Sequence, residues 1–352
     1  MAEYHRNRWP TIGRNIYLQE RSNASLPPVF ERKAKNIRIM VKINDFDFNS
    51  FSNQLVSAWK YAKTYPYQCC CPDCKEKAIK SHLLQQHPIL ESICDEKNSL
   101  FQMVDNRKAP RSSDWNFYQR HNVGLSDALQ YKLLCKDHDN KLYYDLEQRN
   151  SVPESKRDCL LLAFRSACAV RHQEEQRLHI YDKTGIGSEI DAAKEGVSHV
   201  FILRMDAVAN NLWSAINGNG YNYYLFRMIA MPRIDIAASD CMIDEADLEK
   251  HIMDDSYNAP LNSLFINLIP NGDRLLLLLG CDTRYDKEGK YQNIINGFPT
   301  GDVPVDYHLD TIKGILLKCS NWCCAPKLYE DRDWRAFFDE YEELKVKSSF
   351  LT

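Results

Sequence analysis

Two short pairs of metal-ligand residues constrain this chain more than any other feature of its sequence. Cys71 and Cys74 form a Cys-x-x-Cys pair, and Cys135 and His138 form a Cys-x-x-His pair later in the chain. The first spacing places two sulfur atoms on one side of a tight knuckle, and the second projects two ligands from one turn near a helix start. Three thiolates and one imidazole are a ligand set that Zn²⁺ prefers. The sequence therefore predicts a structural zinc site formed by these four residues.

The choice of the first ligand depends on spacing, because Cys69 and Cys70 directly precede Cys71. We favour Cys71 because two residues separate it from Cys74, as in many zinc knuckles. The ligand set expected from the sequence is therefore Cys71, Cys74, Cys135 and His138.

Two further residues are candidates for a chemical role: His82, near the end of a predicted strand, and Asp139, near a predicted helix start. Residues 77–84 alternate between apolar and polar side chains, which predicts a strand with His82 near its end. Asp139 directly follows the second ligand pair. Over roughly residues 65–150, the chain resembles the HNH branch of the His-Me finger endonucleases, in which a treble-clef finger is stapled by zinc.

This resemblance implies a metal-dependent endonuclease. The residue that would act as general base on water is His82, and the residue that would help to hold a catalytic Mg²⁺ or Mn²⁺ ion is Asp139. The chain departs from the family pattern at two positions, because Ser81 stands where an acidic residue often precedes the histidine and Gln130 stands where an asparagine is typical. A structural role for His82, in which its ring satisfies a backbone carbonyl, is the alternative.

Composition is typical of a packed soluble protein, with 352 residues of which 44% are hydrophobic. The thirteen cysteines are an odd number, and the first residues lack the apolar stretch of a secretory signal, which favours reduced thiols and a cytoplasmic protein. The apolar run Leu275–Leu279 is too short to cross a membrane. A net charge of −3 gives little support to nucleic-acid binding.

Positive charge is nevertheless concentrated in two segments. Residues 1–36 form a basic arm that we expect to be partly ordered. A polar stretch over 105–122 contains Arg107, Lys108 and Arg111, which could contact the phosphates of DNA or RNA near His82. The alternative for both segments is a solvated surface without a ligand.

The organisation expected from the sequence is an α+β fold in three parts. These are the arm at 1–36, a zinc-binding HNH-like module at 37–152 and a C-terminal α/β domain of unknown role at 153–352, with the break marked by Pro153. Within the last part, periodicity predicts helices at Lys156–His179, Glu189–Ile216 and Trp334–Leu344, and a hairpin that joins Leu264–Ile269 to Leu275–Leu279 through Asn271 and Gly272.

Two functions are consistent with these features. The favoured one is metal-dependent hydrolysis of nucleic-acid phosphodiester bonds by the HNH-like module, in a defence or mobile-element context that the resemblance permits. The alternative is a non-enzymatic, zinc-scaffolded interaction protein that binds a protein partner through residues 153–352. The replacements at Ser81 and Gln130 and the acidic net charge favour the alternative.

Overall fold

The computed structural model describes residues 48–105, 118–149, 152–184, 189–243, 259–299 and 305–351. The predicted basic arm at 1–36 and the predicted phosphate contacts Arg107, Lys108 and Arg111 lie outside these residues. All of the described residues belong to one unit, which begins at Phe48.

Helices and strands are mixed along this unit, as expected for an α+β chain. The helices are α1 (Phe48–Thr64), α2 (Lys136–Gln148), α3 (Lys156–Thr184), α4 (Glu189–Ile216), α5 (Lys290–Gly297), α6 (Val305–Leu316), α7 (Pro326–Glu330) and α8 (Arg332–Leu351). The strands are β1 (Ile79–His82), β2 (Ser99–Asp105), β3 (Tyr118–Gly124), β4 (Gln130–Leu134), β5 (Tyr224–Pro232), β6 (Ile236–Ile243), β7 (Ser263–Asn271), β8 (Arg274–Asp282) and β9 (Trp322–Cys324).

A large antiparallel sheet joins seven of these strands in the order β3-β2-β9-β6-β7-β8-β5. Its β7–β8 hairpin is the one predicted from the sequence. Asn271 pairs with Arg274 across the turn, and Gly272 has a φ of 56°, a conformation that glycine adopts without steric cost.

Both faces of this sheet are covered, so its central strands are apolar on both sides. Alternate residues of β7 point to opposite faces: Phe265 and Ile269 pack in the core beneath α3 and α4, whereas Ile266 and Leu268 pack with α5, α6 and α8. The unbroken apolar run of β8 has the same cause. Burial of this kind stabilises a sheet by roughly 25 cal/mol for each Å² of apolar surface removed from water.

A second, two-stranded sheet pairs β1 with β4 in antiparallel register, with Lys80 opposite Lys132 and His82 opposite Gln130. The ribbon contacts α3, and α2 follows β4 directly. The β1–β4 ribbon and α2 place the predicted site residues against the long helix α3 of the same unit.

The predicted domain break near 150–155 does not separate two bodies. Residues Phe48–Thr352 form one compact unit, and β2, from the predicted zinc module, pairs with β9, from the predicted C-terminal domain. Leu100 and Phe101 of β2 are buried in the two cores that the C-terminal elements build. The pairing of β2 with β9 joins segments on either side of Pro153, and strand pairing across such a distance in sequence leaves no local trace.

Several predicted elements are confirmed. The helix predicted at Glu189–Ile216 has those bounds, the helix expected from Lys156 continues to Thr184, and the amphipathic C-terminal helix runs over Arg332–Leu351. No helix among the described residues has both the length and the apolar character needed to span a bilayer.

Candidate metal centre and its surroundings

The first pair of ligands comes from a tight knuckle that precedes β1. Cys69 N–H donates to Glu76 O at 2.9 Å and Ala78 N–H donates to Tyr67 O at 2.9 Å, so the chain doubles back over residues 69–76. Asp73 takes a φ of 63° in the turn, and Cys74 N–H donates to Cys71 O at 3.2 Å. An aspartate tolerates this left-handed conformation better than most residues, which explains its place there.

The second pair comes from the start of α2. Cys135 is the residue that precedes the helix, with extended backbone angles, and His138 lies in the first turn. Cys70 N–H donates to Leu133 O at 2.8 Å and thereby ties the knuckle to β4 just before this pair. The ring of Trp213, from α4, lies edge-on to His138 at 5.9 Å between centroids. Elements distant in the sequence thus fix the orientation of the imidazole.

Four side chains converge on one point between the two pairs: Cys69, Cys74, Cys135 and His138, whose ligand atoms all lie within 4.8 Å of one another. His138 Nδ1 is 3.4 Å from Cys69 Sγ and 3.3 Å from Cys135 Sγ, and Cys74 Sγ is 3.9 Å from Cys135 Sγ. A tetrahedron with zinc bond lengths would have sulfur–sulfur edges of about 3.8 Å and sulfur–nitrogen edges of about 3.6 Å. The donor atoms therefore fit a tetrahedral ion of this size.

The fourth member of this cluster is Cys69, where the spacing favoured Cys71. Cys71 is buried, and its thiol is hydrogen-bonded to Cys69. That bond, together with the backbone N–H groups of Cys135 and Cys71, lowers the pKa of Cys69, whereas the pKa of Cys71 is raised. The convergence of ligand atoms therefore includes Cys69, and Cys71 lies outside the set of four.

Asp139, the predicted ligand of a catalytic cation, is held by a buried arginine. Arg165 of α3 has a side chain that is only 2% exposed, and its Nη2 atom lies 3.2 Å from both Asp139 Oδ1 and Glu147 Oε1. The guanidinium carbon lies 3.4 Å from the centroid of the Tyr143 ring. One guanidinium therefore pairs with two carboxylates of α2 and joins that helix to α3.

His82 lies within electrostatic reach of the same group of charges. Burial lowers the pKa of His82, and the Arg165 guanidinium acts in the same direction, while the backbone at Ser126 and Leu125 and the Asp139 carboxylate oppose the shift. The imidazole is therefore neutral near pH 7. Its Nε2 atom is buried and has no hydrogen-bond partner among the described residues.

The structure brings together most of the residues singled out in the sequence. Cys74, Cys135 and His138 share one centre, and His82 and Asp139 lie near Arg165. Sequence reasoning missed Cys69 and Arg165. Three adjacent cysteines gave a signal for the first, whereas the only sign of the second was a lone arginine within the apolar run Leu160–Ala169 of a predicted helix.

Outside this region, a cleft of about 450 Å³ lies beside α4 and is lined in part by Asn210, Asn211, Pro260 and Tyr285. Another concentration of cysteines is buried on both sides of the large sheet: Cys319 and Cys324 lie in the core beneath α8, and Cys323 lies in the core beneath α3 and α4. These thiols are core residues.

No family model matches this chain, and no curated protein and no solved structure matches it either.

Proposed function

We propose that the protein is a zinc-stapled binding protein, in which one Zn²⁺ ion held by Cys69, Cys74, Cys135 and His138 fixes the β1–β4 ribbon and α2 as a rigid surface. The observation that carries this proposal is the near-tetrahedral spacing of the four donor atoms. Four protein ligands leave no open position on the metal, which is typical of a structural site. The bound ion would supply a cross-link between the knuckle and the helix start.

The order of elements around the site supports a treble-clef arrangement of the finger. A knuckle with two ligands precedes the β1–β4 ribbon, and α2 supplies the other two ligands from its start. This is the arrangement that the resemblance to HNH modules implied. We therefore propose a treble-clef finger embedded in a larger α+β unit.

The pairing of Asp139 with Arg165 favours binding over hydrolysis. The donor set near His82 does not fit a Mg²⁺ or Mn²⁺ site, because Asp139 and Glu147 share one buried guanidinium. Mg²⁺ usually relies on one or two carboxylates that remain open to it. Asp139 is accordingly proposed to anchor α2 through Arg165.

Loss of the metal tests the scaffold proposal. Structural zinc contributes on the order of 10 kcal/mol to the folding of small zinc modules, so Cys74→Ser should remove the bound zinc and unfold the finger. The measurement is zinc content together with far-ultraviolet circular dichroism. A matched control is Cys94→Ser, because Cys94 is a free cysteine outside the cluster. Full retention of helix by zinc-free protein would contradict the proposal.

The second candidate function is hydrolysis of nucleic-acid phosphodiester bonds with His82 as general base. The observation that favours it is the neutral imidazole with an unpartnered Nε2 atom. Incubation of the purified protein with plasmid and with single strands in Mg²⁺ or Mn²⁺ tests this candidate against His82→Ala. Cleavage that is lost in the variant would support hydrolysis, and equal cleavage by both proteins would remove His82 from the chemistry.

A further inference from the structure

Three lysines meet on the β1–β4 ribbon, and we call them the lysine ribbon: Lys77, Lys80 and Lys132. Lys80 and Lys132 lie directly opposite each other in the antiparallel register. Lys77 lies two residues before β1 and pairs with Gln68 in an isolated antiparallel β-bridge. The positive charges of Lys77 and Lys80 add to burial in lowering the pKa of Lys132, so all three ammonium groups share one neighbourhood. The chain as a whole has a net charge of −3, so this concentration of positive charge is local.

Like charges placed opposite each other in a sheet are destabilising, and the protein's own acids compensate these lysines poorly. Lys80 Nζ lies 3.4 Å from Asp127 Oδ1, but both side chains are more than half exposed, and such pairs contribute little. Lys132 Nζ donates to the backbone oxygen of Tyr65 at 2.9 Å. Lys77 has no ion pair within the part of the chain that the structure describes. The ammonium groups of the lysine ribbon are therefore available to bind an anionic group from another molecule.

A row of tyrosines continues the lysine ribbon on one side. Lys132 Nζ lies 5.7 Å from the centroid of Tyr67, Tyr67 is 5.1 Å from Tyr65, and Tyr65 is 5.8 Å from Tyr61. Tyr61 ends the row with 37% of its surface exposed, and Lys183 Nζ lies 4.4 Å from its ring. Cations thus stand at both ends of a line of aromatic rings.

The acidic group whose charge reaches Tyr67 in this row is already engaged. Glu175, whose charge reaches Tyr67, forms an ion pair with Arg171 at 2.7 Å. Tyr67, within the row, is buried, so the row leads from the lysines through the interior to the exposed ring of Tyr61. The ammonium groups at one end could meet phosphates, and the exposed ring at the other end could stack on a planar base. Aromatic platforms beside positive charge are the usual means of binding single strands without sequence preference.

We propose that the lysine ribbon and Tyr61 bind a single-stranded nucleic acid, with Lys77, Lys80 and Lys132 on its phosphates and Tyr61 under one of its bases. The proposal deepens the proposed binding function and rests on it, because the zinc-held knuckle supports β1. Binding of this kind does not require the protein to cleave the strand. His82 lies on the same strand as Lys80, so a strand bound here would pass close to the second candidate site.

Fluorescence anisotropy with labelled single-stranded DNA and RNA of mixed sequence tests the proposal, in buffer without Mg²⁺ or Mn²⁺. The test variant is K77Q/K80Q, which leaves the Lys132 bond to Tyr65 intact. The control is K97Q/K287Q, which removes the same charge at two exposed lysines outside the lysine ribbon. At about 50 mM salt we expect K77Q/K80Q to bind on the order of 10- to 100-fold more weakly than the control, and its slope of log affinity against log salt to be smaller by about 1.4, for two phosphate contacts.

Tyr61→Ala separates base stacking from charge, with Tyr144→Ala as a control at another exposed tyrosine. Loss of one stacked base should weaken binding roughly fivefold or more in the first variant and leave the second unchanged. Tighter binding of duplex than of single strands would overturn the assignment, and so would equal affinities of K77Q/K80Q and K97Q/K287Q. Preference for an acidic polypeptide such as polyglutamate would overturn it in favour of a protein partner.

Zinc content measured on the same samples separates this proposal from the scaffold function. Wild-type protein with one zinc per chain and no affinity for single strands would overturn only the nucleic-acid proposal. Protein without zinc would overturn the scaffold itself.

Discussion

At the scale of single residues, Arg165 joins α2, which begins at the Cys/His cluster, to α3. Its guanidinium is buried, lies on the ring of Tyr143 and forms ion pairs with both Asp139 and Glu147. A buried cation is tolerated only when it is paired, so the three charges depend on one another. Arg165 gives Asp139 a structural partner. The ion pair accounts for an aspartate next to His138 without a catalytic metal ion.

The choice between Cys69 and Cys71 gives a direct prediction about zinc. Cys69→Ser should hold less than one zinc per chain, because a serine hydroxyl is a poor ligand for this ion, whereas Cys71→Ser should keep one zinc per chain. The measurement is zinc content by elemental analysis after gel filtration. Retention of zinc by Cys69→Ser and its loss from Cys71→Ser would restore the ligand set that the spacing favoured.

His172 gives a prediction about acid stability. It is 1% exposed, and burial lowers its pKa from 6.5 to about 3, with further lowering by Arg171, Lys132 and His179. The groups around it include Gln176, whose Nε2 is 3.0 Å away, and the rings of Tyr67 and Tyr131. Since the unfolded chain binds a proton below pH 6.5 and the folded chain does not, the stability that neutral His172 provides is present above pH 6.5 and is lost as the pH falls toward 3.

Between pH 7 and pH 5 this residue should lower the free energy of unfolding by about 2 kcal/mol. His172→Gln removes the titrating group and should reduce the pH dependence by that amount. Urea unfolding at both pH values measures the difference for each protein. An identical loss of stability in wild type and variant would show that His172 does not titrate in this range.

At the scale of elements, β8 must pass very close to β5. A Cβ atom at Gly280 would clash with two ring carbons of Phe226, the residue paired with it across the strands. We expect Gly280→Ala to lower the free energy of unfolding by roughly 1–3 kcal/mol, because the ring must move within a covered sheet.

Gly314→Ala is the matched control, because a Cβ atom there meets nothing within 4 Å on α6. Alanine is the better helix former by about 1 kcal/mol, so this variant should be as stable as the wild type or more stable. Urea unfolding compares the two variants. Equal stabilities would indicate that β5 and β8 are further apart than described.

The elements that sequence could predict are those with a local cause. The helices α3 and α4 follow from apolar periodicity, and the β7–β8 hairpin follows from two apolar runs joined at Asn271 and Gly272. The pairing of β2 with β9 could not be predicted, because nothing near either strand specifies a partner so distant in the sequence. The same limit applies to Arg165, whose two carboxylate partners lie on another helix.

At the scale of the whole unit, a buried polar network ties the finger to the large sheet. Asn321 is fully buried, and its Oδ1 atom accepts from Tyr131 Oη at 2.6 Å and from Gln173 Nε2 at 2.7 Å. Its backbone N–H donates to Asp240 Oδ2 at 3.1 Å. One side chain thus joins β4 and α3 to the segment that precedes β9. Networks of this kind hold elements in a single arrangement when every member is satisfied.

Asn321→Ala should therefore destabilise the finger and the sheet together. Loss of the amide leaves buried partners unsatisfied, and we expect the free energy of unfolding to fall by roughly 2–4 kcal/mol. Urea unfolding followed by both tryptophan fluorescence and circular dichroism should give one coincident transition for wild type and variant. Two separate transitions, of which the mutation moves only one, would indicate independent domains.

X-ray absorption at the zinc edge of purified wild-type protein is the sharpest test of a zinc ion held by Cys69, Cys74, Cys135 and His138. We expect one zinc per chain with three sulfur neighbours at about 2.3 Å and one nitrogen neighbour at about 2.0–2.1 Å. A sample that contains no zinc, or a spectrum dominated by oxygen neighbours, would rule out this site.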